Sequence, residues 1–106
     1  MTKVLLLAKK RPDLSADAFI TYWRQVHAPL VRRLPGVRRY VVNAVFPDAG
    51  MTTAVCDGIG EIWFDSPTDL QEALASNEGR ATLADVANFC APESGTVAVE
   101  EIEVVI

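Results

Sequence analysis

A chain of 106 residues is long enough for one hydrophobic core and too short for two, so we expect a single domain spanning residues 1–106. Half of the residues are apolar and 23% are charged, a composition that excludes an intrinsically disordered protein. The longest apolar run, Val4–Ala8, is too short to cross a membrane or to serve as a signal peptide. We therefore expect a cytoplasmic protein without membrane contact.

The net charge of −4 combines two parts of opposite sign. Residues 1–40 contain nine Lys and Arg against two Asp, whereas residues 41–106 contain one Arg against twelve acidic residues. The pairs Arg32-Arg33 and Arg38-Arg39 offer a basic surface, yet they lack the interleaved aromatic residues that stack on bases. We expect no nucleic-acid partner, because complementary patches within the fold or between copies explain these charges better.

The first part of the chain predicts a strand, a helix and a second strand. Lys3–Lys9 is a short apolar run, typical of a strand that is buried on both faces. Ser15 is a good N-cap for a helix that ends at Leu34-Pro35-Gly36. Val37–Phe46 is rich in β-branched and aromatic residues and predicts the second strand. The apolar stripe of the helix consists of Phe19, Trp23, Val26, Leu30 and Leu34, and one strand face carries Tyr40, Val42, Ala44 and Phe46.

The second part of the chain predicts a strand, a helix and a final strand. Pro47–Asp57 is a connection of about eleven residues, a length that favours a functional flap over a plain hairpin turn. Ile59–Phe64 predicts the third strand, and Ser66–Asp69 supplies the N-cap and first turn of a helix. That helix is expected to falter at Asn77–Gly79 and to end before the last proline. Val97–Ile106 predicts the fourth strand.

The order β-α-β-β-α-β is typical of the ferredoxin-like α+β fold, an antiparallel four-stranded sheet with both helices on one face. The first two predicted strands carry apolar residues on both faces, and two helices on one side can cover only one of them. An uncovered apolar face favours packing against the same face of a second copy. We therefore expect a homodimer in which two sheets meet as a dimeric α/β barrel.

The only histidine in the chain, His27, lies four residues after Trp23, on the apolar stripe of the first helix. Pro29 cannot donate a hydrogen bond to the carbonyl four residues earlier, so we expect the helix to bend near His27 and to open a space above the sheet. Tyr40 on the facing strand brings a hydroxyl group towards the same space. A small apolar pocket with one imidazole and one phenol results, although a satisfied core histidine and a packed strand tyrosine fit these patterns too.

Common cofactor and metal motifs are missing from the sequence. Gly58-Ile59-Gly60 begins like a dinucleotide fingerprint, but Trp63 stands at the position of the third glycine and the stretch leads into a strand. Cys56 and Cys90 stand alone, which predicts reduced thiols and neither a disulfide framework nor a zinc site. We expect a protein that works without a metal or a bound cofactor.

A set of segments spread over the chain forms a recognisable signature. The segments are Lys10–Ser15, Phe19, Tyr22-Trp23, His27–Leu30, Leu34–Gly36, Arg39-Tyr40, Asn43, Asp57-Gly58, Glu61–Ser66, Asp85 and Phe89. Together they resemble the signature of EthD-like proteins, from about Val4 to Val105. The resemblance implies a dimeric α/β barrel of ferredoxin-like subunits, in agreement with the fold predicted from the pattern of elements.

The resemblance implies less about activity than about fold. The barrel superfamily that includes EthD-like proteins also contains cofactor-independent monooxygenases, polyketide cyclases, muconolactone isomerases and fungal dehydratases. A methylmuconolactone methylisomerase of this kind is similar to the chain at a helix histidine and a strand tyrosine, which correspond to His27 and Tyr40. That isomerase uses a second histidine and a cysteine, whereas this chain has a single histidine, so the resemblance does not carry over the same reaction.

Our first hypothesis is a cofactor-independent isomerase, cyclase or lyase that acts on a small hydrophobic carbonyl compound such as a lactone, a phenolic ketone or a polyketide-like ring. His27 would remove a proton next to the carbonyl, and Tyr40 would donate a hydrogen bond to the oxygen that becomes negative. Two alternatives stay open: a non-catalytic accessory or metabolite-binding protein of a degradation or biosynthetic pathway, and a cofactor-free monooxygenase. The predicted substrate-binding residues are Trp23, Asn43, Phe46, Trp63 and Phe64.

Overall fold

Four antiparallel strands, β1 (Thr2–Ala8), β2 (Arg39–Ala44), β3 (Gly58–Phe64) and β4 (Gly95–Glu100), form one sheet. Their order across the sheet is β2-β3-β1-β4, so β2 and β4 are the edge strands. The computed structural model describes residues 1–45 and 55–106. Along the chain, the described helices lie between β1 and β2 and between β3 and β4. This topology confirms the predicted α+β ferredoxin-like arrangement.

Three helices begin at a serine whose side chain caps the first turn. These helices are α1 (Ala16–Tyr22), α3 (Pro67–Ala75) and α4 (Asn77–Asp85). The hydroxyl oxygens of Ser15, Ser66 and Ser76 accept hydrogen bonds from the backbone N–H groups of Ala18, Asp69 and Gly79 at 3.0, 3.1 and 3.0 Å. Each cap satisfies a donor that would otherwise have no partner at the helix end, which confirms the predicted starts at Ser15 and Ser66.

The expected bend near Pro29 takes the form of a π-helical turn. After α1 the chain continues through this turn (Trp23–His27) into the short helix α2 (Ala28–Val31). The N–H of Ala28 bonds to the carbonyl of Trp23, five residues earlier, instead of four. Because proline has no N–H to continue the α-helical pattern, the wider turn accommodates it without breaking the helical direction.

The second helical segment breaks one residue earlier than predicted. Ser76 has extended backbone, ends α3 and caps α4, whereas the sequence predicted the interruption at Asn77–Gly79. Gly79 lies inside α4, where a Cβ atom would overlap the backbone carbonyl of Ala73. The glycine is therefore required for close approach of the two helices and does not interrupt them. A 3₁₀ turn (Val86–Asn88) follows α4.

The helices cover one face of the sheet, and the pairing register places Val4, Tyr40 and Ile62 side by side on this face. Two groups of buried side chains fill the space between the layers, one beneath α3 and one beneath α1. The first group contains Val4, Val31, Leu34, Phe64, Leu70 and Ala73, and the second contains Ala8, Phe19, Trp23, Phe89 and Cys90.

The outer face of the sheet has no helix over it in the part of the chain that the structure describes. Its side chains alternate with those of the helix side and are Lys3, Leu5, Leu7, Arg39, Val41, Asn43, Ile59, Glu61, Trp63, Val97 and Val99. Lys3 Nζ and Arg39 Cζ lie 4.9 and 4.6 Å from the ring centroid of Trp63, in cation–π contact. Lys3 also pairs with Glu61 at 3.0 Å, so the face combines apolar residues with ion pairs.

The last strand is shorter than the sequence predicted. β4 ends at Glu100, which pairs with Thr2 at the start of β1, and the predicted continuation to Ile106 pairs with no strand among the described residues. Beyond it, the N–H of Glu101 bonds to the carbonyl of Met1 at 3.0 Å. The side chains of Ile102 and Ile106 are exposed. No helix within residues 1–45 and 55–106 has the length and apolarity needed to span a bilayer.

Candidate functional site

The π-helical turn directs His27 towards the sheet, where its side chain is only 3% exposed. The ring packs against Phe89, with 4.8 Å between the ring centroids. Phe89 in turn contacts the rings of Phe19, Tyr22 and Trp23, which form an aromatic cluster beneath α1. This apolar packing by itself restricts the orientation of the imidazole ring.

The imidazole of His27 pairs with Asp85, the last residue of α4. Nδ1 of His27 lies 2.9 Å from Oδ2 of Asp85. The other carboxylate oxygen accepts a hydrogen bond from the hydroxyl of Tyr22 at 2.6 Å and one from the side-chain amide of Asn88 at 2.9 Å. Asp85 is a buried residue, so these three contacts replace the water that an exposed carboxylate would bind.

The charge states of this cluster follow from its contacts. Burial acts to raise the pKa of Asp85, but the hydrogen bonds from Tyr22, Asn88 and His27 outweigh it and hold that pKa below its ordinary value. Burial lowers the pKa of His27 below its ordinary value, although the hydrogen bond and charge of Asp85 act in the opposite direction. At neutral pH the pair therefore consists of a carboxylate and a neutral imidazole.

An ionised carboxylate can only accept hydrogen bonds, so Nδ1 of His27 must carry the ring hydrogen. Nε2 then has a free lone pair, and no group in the described ranges makes a hydrogen bond to it. The hydrogen bond to Asp85 raises the pKa of Tyr22, which keeps its hydroxyl protonated as a donor. The cluster thus sets the tautomer of His27 and leaves a base at Nε2.

His27 lines a small cavity of about 60 Å³ between the sheet and α4. Two threonines line the same cavity, the buried Thr82 on α4 and the exposed Thr96 on β4. The Thr82 hydroxyl donates to the carbonyl of Glu78 at 2.8 Å. The remaining walls are apolar and consist of Val4, Leu6, Leu34, Ile62, Leu74, Leu83 and Val86. A base and a hydroxyl group in an apolar cavity suit a small hydrophobic compound with one polar function.

Tyr40 lies on the helix side of the sheet but does not line the cavity that His27 lines. Its hydroxyl oxygen accepts a hydrogen bond from the indole N–H of Trp23 at 2.5 Å. Burial raises the pKa of Tyr40 to about 12, so the phenol stays protonated. On its other side Tyr40 borders a shallow surface pocket with Arg32 and Arg39.

The predicted substrate-binding residues are divided between the two faces of the sheet. Trp23 and Phe64 are fully buried beneath the helices. Trp23 lies so close to β3 that a Cβ on Gly58 or Gly60 would come within 2.7 or 2.9 Å of its ring.

The other predicted substrate-binding residues lie on the outer face of the sheet or outside the residues that the structure describes. Trp63 and Asn43 lie on the outer face, where the Asn43 amide donates to Glu61 at 3.0 Å. None of the four residues Trp23, Asn43, Trp63 and Phe64 lines the His27 cavity. Phe46 and the stretch 47–54 of the predicted flap lie outside the described residues.

Asp85 is the residue that the sequence interpretation missed as a partner of His27. It lies three residues after Thr82 and four before Phe89, both of which are buried, so its position is on the inward stripe of α4. A carboxylate on a buried stripe requires a partner, and so does a lone histidine on the opposite helix. Two isolated polar residues on buried helix stripes are therefore the sequence signal from which this pair could be predicted.

The chemistry available here is proton transfer. Nε2 can accept a proton, and Asp85 would stabilise the imidazolium ion that forms. In the ranges 1–45 and 55–106, no three His, Cys, Asp or Glu side chains come together as ligands for a metal ion. Both thiols are buried, and burial raises the pKa of Cys90 to about 12, which disfavours the reactive thiolate.

Comparison with known proteins identifies relatives over most of the chain. The EthD domain family matches residues 11–93. An uncharacterised 11.0 kDa protein from the thcB-thcC intergenic region of Rhodococcus erythropolis is 32% identical over 72 residues, which are 68% of this chain and 69% of that protein. The predicted resemblance is thereby confirmed.

Solved structures show the same fold. An ethyl tert-butyl ether d (ethd) family protein from Bacillus halodurans is 27% identical with a TM-score of 0.83, over 96% of this chain and 99% of that chain. A dimeric ferredoxin-like protein of unknown function from Thermobifida fusca is 16% identical with a TM-score of 0.69, over 92% of this chain and 88% of that chain. Both likenesses agree with the topology described above.

Proposed function

This chain belongs to the EthD domain family, and from that premise we propose that it is a cofactor-independent isomerase, cyclase or lyase acting on a small hydrophobic carbonyl compound. The observation that carries the proposal is the buried His27–Asp85 pair on a residue that lines a cavity, with Nδ1 bonded to the carboxylate and no hydrogen bond to Nε2 from residues 1–45 and 55–106. Lactones, phenolic ketones and polyketide-like rings are the substrate types that suit such a base in an apolar space.

The proposed reaction begins with removal of a proton from the carbon next to the carbonyl. Nε2 of His27 takes the proton, the electron pair of the broken C–H bond forms a carbon–carbon double bond, and the π pair of the carbonyl group moves to its oxygen to give an enolate. The imidazolium then returns the proton to another carbon in an isomerisation, or to a leaving oxygen in an elimination. Asp85 stabilises the imidazolium without taking its proton, because its pKa is held low.

The enolate oxygen requires a hydrogen-bond donor, and the structure favours Thr96 for this role over the predicted Tyr40. Thr96 lines the same cavity as His27, and its hydroxyl makes no hydrogen bond to any described group. Tyr40 instead holds the indole of Trp23 against the sheet. In this proposal Tyr40 holds Trp23 of the aromatic cluster in position, and Thr96 donates the hydrogen bond to the substrate.

The proposal is tested by hydrogen–deuterium exchange at the α-carbon of a panel of ketones and lactones dissolved in D₂O. The wild-type protein is expected to accelerate the exchange, and His27→Gln, which keeps a side chain of similar length, should reduce it by about 10²–10⁴-fold. Thermal unfolding and circular dichroism of the variant check that the fold is intact. Exchange that continues unchanged in His27→Gln would refute the role of His27.

The same experiment separates the alternatives. A compound that raises the melting temperature of both wild type and His27→Gln, but shows no exchange or conversion in either, would favour a metabolite-binding or accessory protein. Consumption of dissolved oxygen during turnover would favour a cofactor-free monooxygenase.

We further propose that the protein is a homodimer joined through the outer face of the sheet. That face has no helix over it in residues 1–45 and 55–106, and it carries the apolar side chains Leu5, Leu7, Val41, Ile59 and Val97. Burying such a face against its own copy gives a two-fold, self-complementary contact. The dimeric ferredoxin-like protein from Thermobifida fusca supports this arrangement through its similar fold.

A further inference from the structure

A second hollow lies beside the His27 cavity. It is an open groove of about 650 Å³ between the end of α4 and the loop that follows β1. Its walls are mostly apolar and include Ala87, Ala91 and Pro92. At its rim the guanidinium of Arg11 makes two hydrogen bonds to the carboxylate of Asp13, at 3.0 and 2.8 Å, so these charges neutralise each other.

Leu83 and Val86 line both the groove and the His27 cavity. These two side chains therefore form a wall that the two hollows share. Sites for organic ligands usually measure roughly 300–1,000 Å³. The cavity of about 60 Å³ falls well below that range, whereas the groove falls within it. Each hollow by itself lacks something: the cavity lacks room, and the groove lacks the base.

The backbone of α4 is held at both ends of this wall. At its start, Gly79 packs directly against the backbone of Ala73. At its end, Asp85 is bound by Tyr22, Asn88 and His27. The passage between the hollows must therefore open by rotation of side chains. Leu83 is 47% exposed, and side chains at exposed positions change rotamer within picoseconds to nanoseconds.

We propose that the groove is the second half of the ligand site and that the ligand is elongated. A carbonyl-bearing head lies in the cavity beside Nε2 of His27, and an uncharged apolar extension passes Leu83 and Val86 into the groove. The chemistry of the head rests on the proposed function, whereas the place of the extension does not. The neutralised rim at Arg11 and Asp13 favours an extension without charge.

The test uses two ketones that differ only in the extension, cyclohexanone and 4-phenylcyclohexanone. Because His27 is the only histidine, its ¹⁵N imidazole signals report contact at Nε2 without assignment ambiguity. Each ketone is titrated into the full chain, and the change of these signals gives its dissociation constant. Wild type is expected to bind 4-phenylcyclohexanone about tenfold or more tightly than cyclohexanone, because the phenyl group gains apolar burial in the groove.

Three tryptophan variants locate the extension. Leu83→Trp places an indole between the two hollows, and Ala87→Trp places one in the groove alone. Both variants should reduce the preference for 4-phenylcyclohexanone to about threefold or less. Ala84→Trp is the matched control: it adds the same indole at an exposed alanine of α4 that lines neither hollow, and should leave the preference unchanged. Ala87→Trp keeps the test valid if Leu83→Trp does not fold.

Equal affinities for the two ketones in wild type would overturn the inference, as would a preference that survives in both groove variants. Imidazole signals that respond to neither ketone would also overturn it. Exchange of α-hydrogens, measured in the same samples, separates this inference from the proposed reaction. A preference that the groove variants abolish, without exchange in wild type, would support the groove and refute the reaction, whereas exchange with equal affinities would do the reverse.

Discussion

Replacing Asp85 with asparagine is expected to move the ring hydrogen of His27 from Nδ1 to Nε2. One oxygen of Asp85 accepts from both Tyr22 and Asn88, and the other accepts from His27 alone. An asparagine amide turned towards Tyr22 and Asn88 would meet two donors. Turned towards His27 it meets one ring nitrogen, which can accept a hydrogen bond after the tautomer changes. The second orientation costs less, and it places the hydrogen on Nε2.

The cost in stability follows from the same three contacts. A hydrogen bond to a charged acceptor contributes roughly 1 kcal/mol more than a neutral one, so the three bonds together lose about 3 kcal/mol. Part of this loss is offset because the variant no longer buries a charge. We therefore expect Asp85→Asn to lower the free energy of unfolding by about 2 kcal/mol. Proton transfer should fall by about 10²–10⁴-fold, because Nε2 no longer offers a lone pair.

Two measurements check this prediction. Long-range ¹H–¹⁵N correlation spectra of the single imidazole distinguish the two tautomers, and urea denaturation gives the change in stability. Tyr22→Phe is a matched control: it removes one hydrogen bond to Asp85 but keeps the charge, so the tautomer should remain as in wild type. A wild-type ring with its hydrogen on Nε2, or an Asp85→Asn variant with unchanged tautomer and full proton transfer, would refute the reasoning.

Three further predictions concern packing, assembly and pH. Gly79→Ala should lower the free energy of unfolding by about 1–3 kcal/mol, because its Cβ overlaps the backbone of α3, whereas Gly95→Ala, with open space around its Cβ, should change it little in urea denaturation. Leu7→Glu on the outer face should give a monomer in sedimentation velocity, whereas Gln71→Glu on α3 should not. Because the pKa of His27 is lowered from 6.5, the unfolded chain takes up the proton first, so stability should fall as the pH drops below about 6.5, and His27→Gln should remove this part of the loss in urea titrations at several pH values.

The order of the elements could be predicted because their signals are local. The N-caps at Ser15 and Ser66, the apolar run of β1 and the β-branched residues of β2 each depend on neighbours in sequence. The ends of β4 could not be predicted in this way. β4 stops at Glu100 because its partner β1 begins at Thr2, and that limit is a property of the pairing between distant segments.

The candidate site was predictable only in part, because its components come from three distant segments. His27 could be singled out as an isolated polar residue on an apolar stripe. Its partner could not be chosen, since Asp85 lies 58 residues further along the chain, on a helix that begins only after the break at Ser76. The shared pocket predicted for His27 and Tyr40 depended on side-chain packing as well. Trp23 engages the Tyr40 hydroxyl, a contact between side chains that no periodicity encodes.

The π-helical turn explains why helical periodicity correctly predicted that His27 is buried but was wrong about Val26. Regular α-helical spacing from Trp23 predicts Val26 on the buried stripe, yet Val26 is 45% exposed, and His27 is buried in its place. A π turn adds a residue to the turn, so the inward position after Trp23 shifts by one residue along the chain. Pro29 provides the reason for the wider turn, since it cannot donate the hydrogen bond that a continuous α-helix requires. The proline that disturbs the helix therefore also brings the imidazole towards Asp85, and the local irregularity and the candidate site have one common cause.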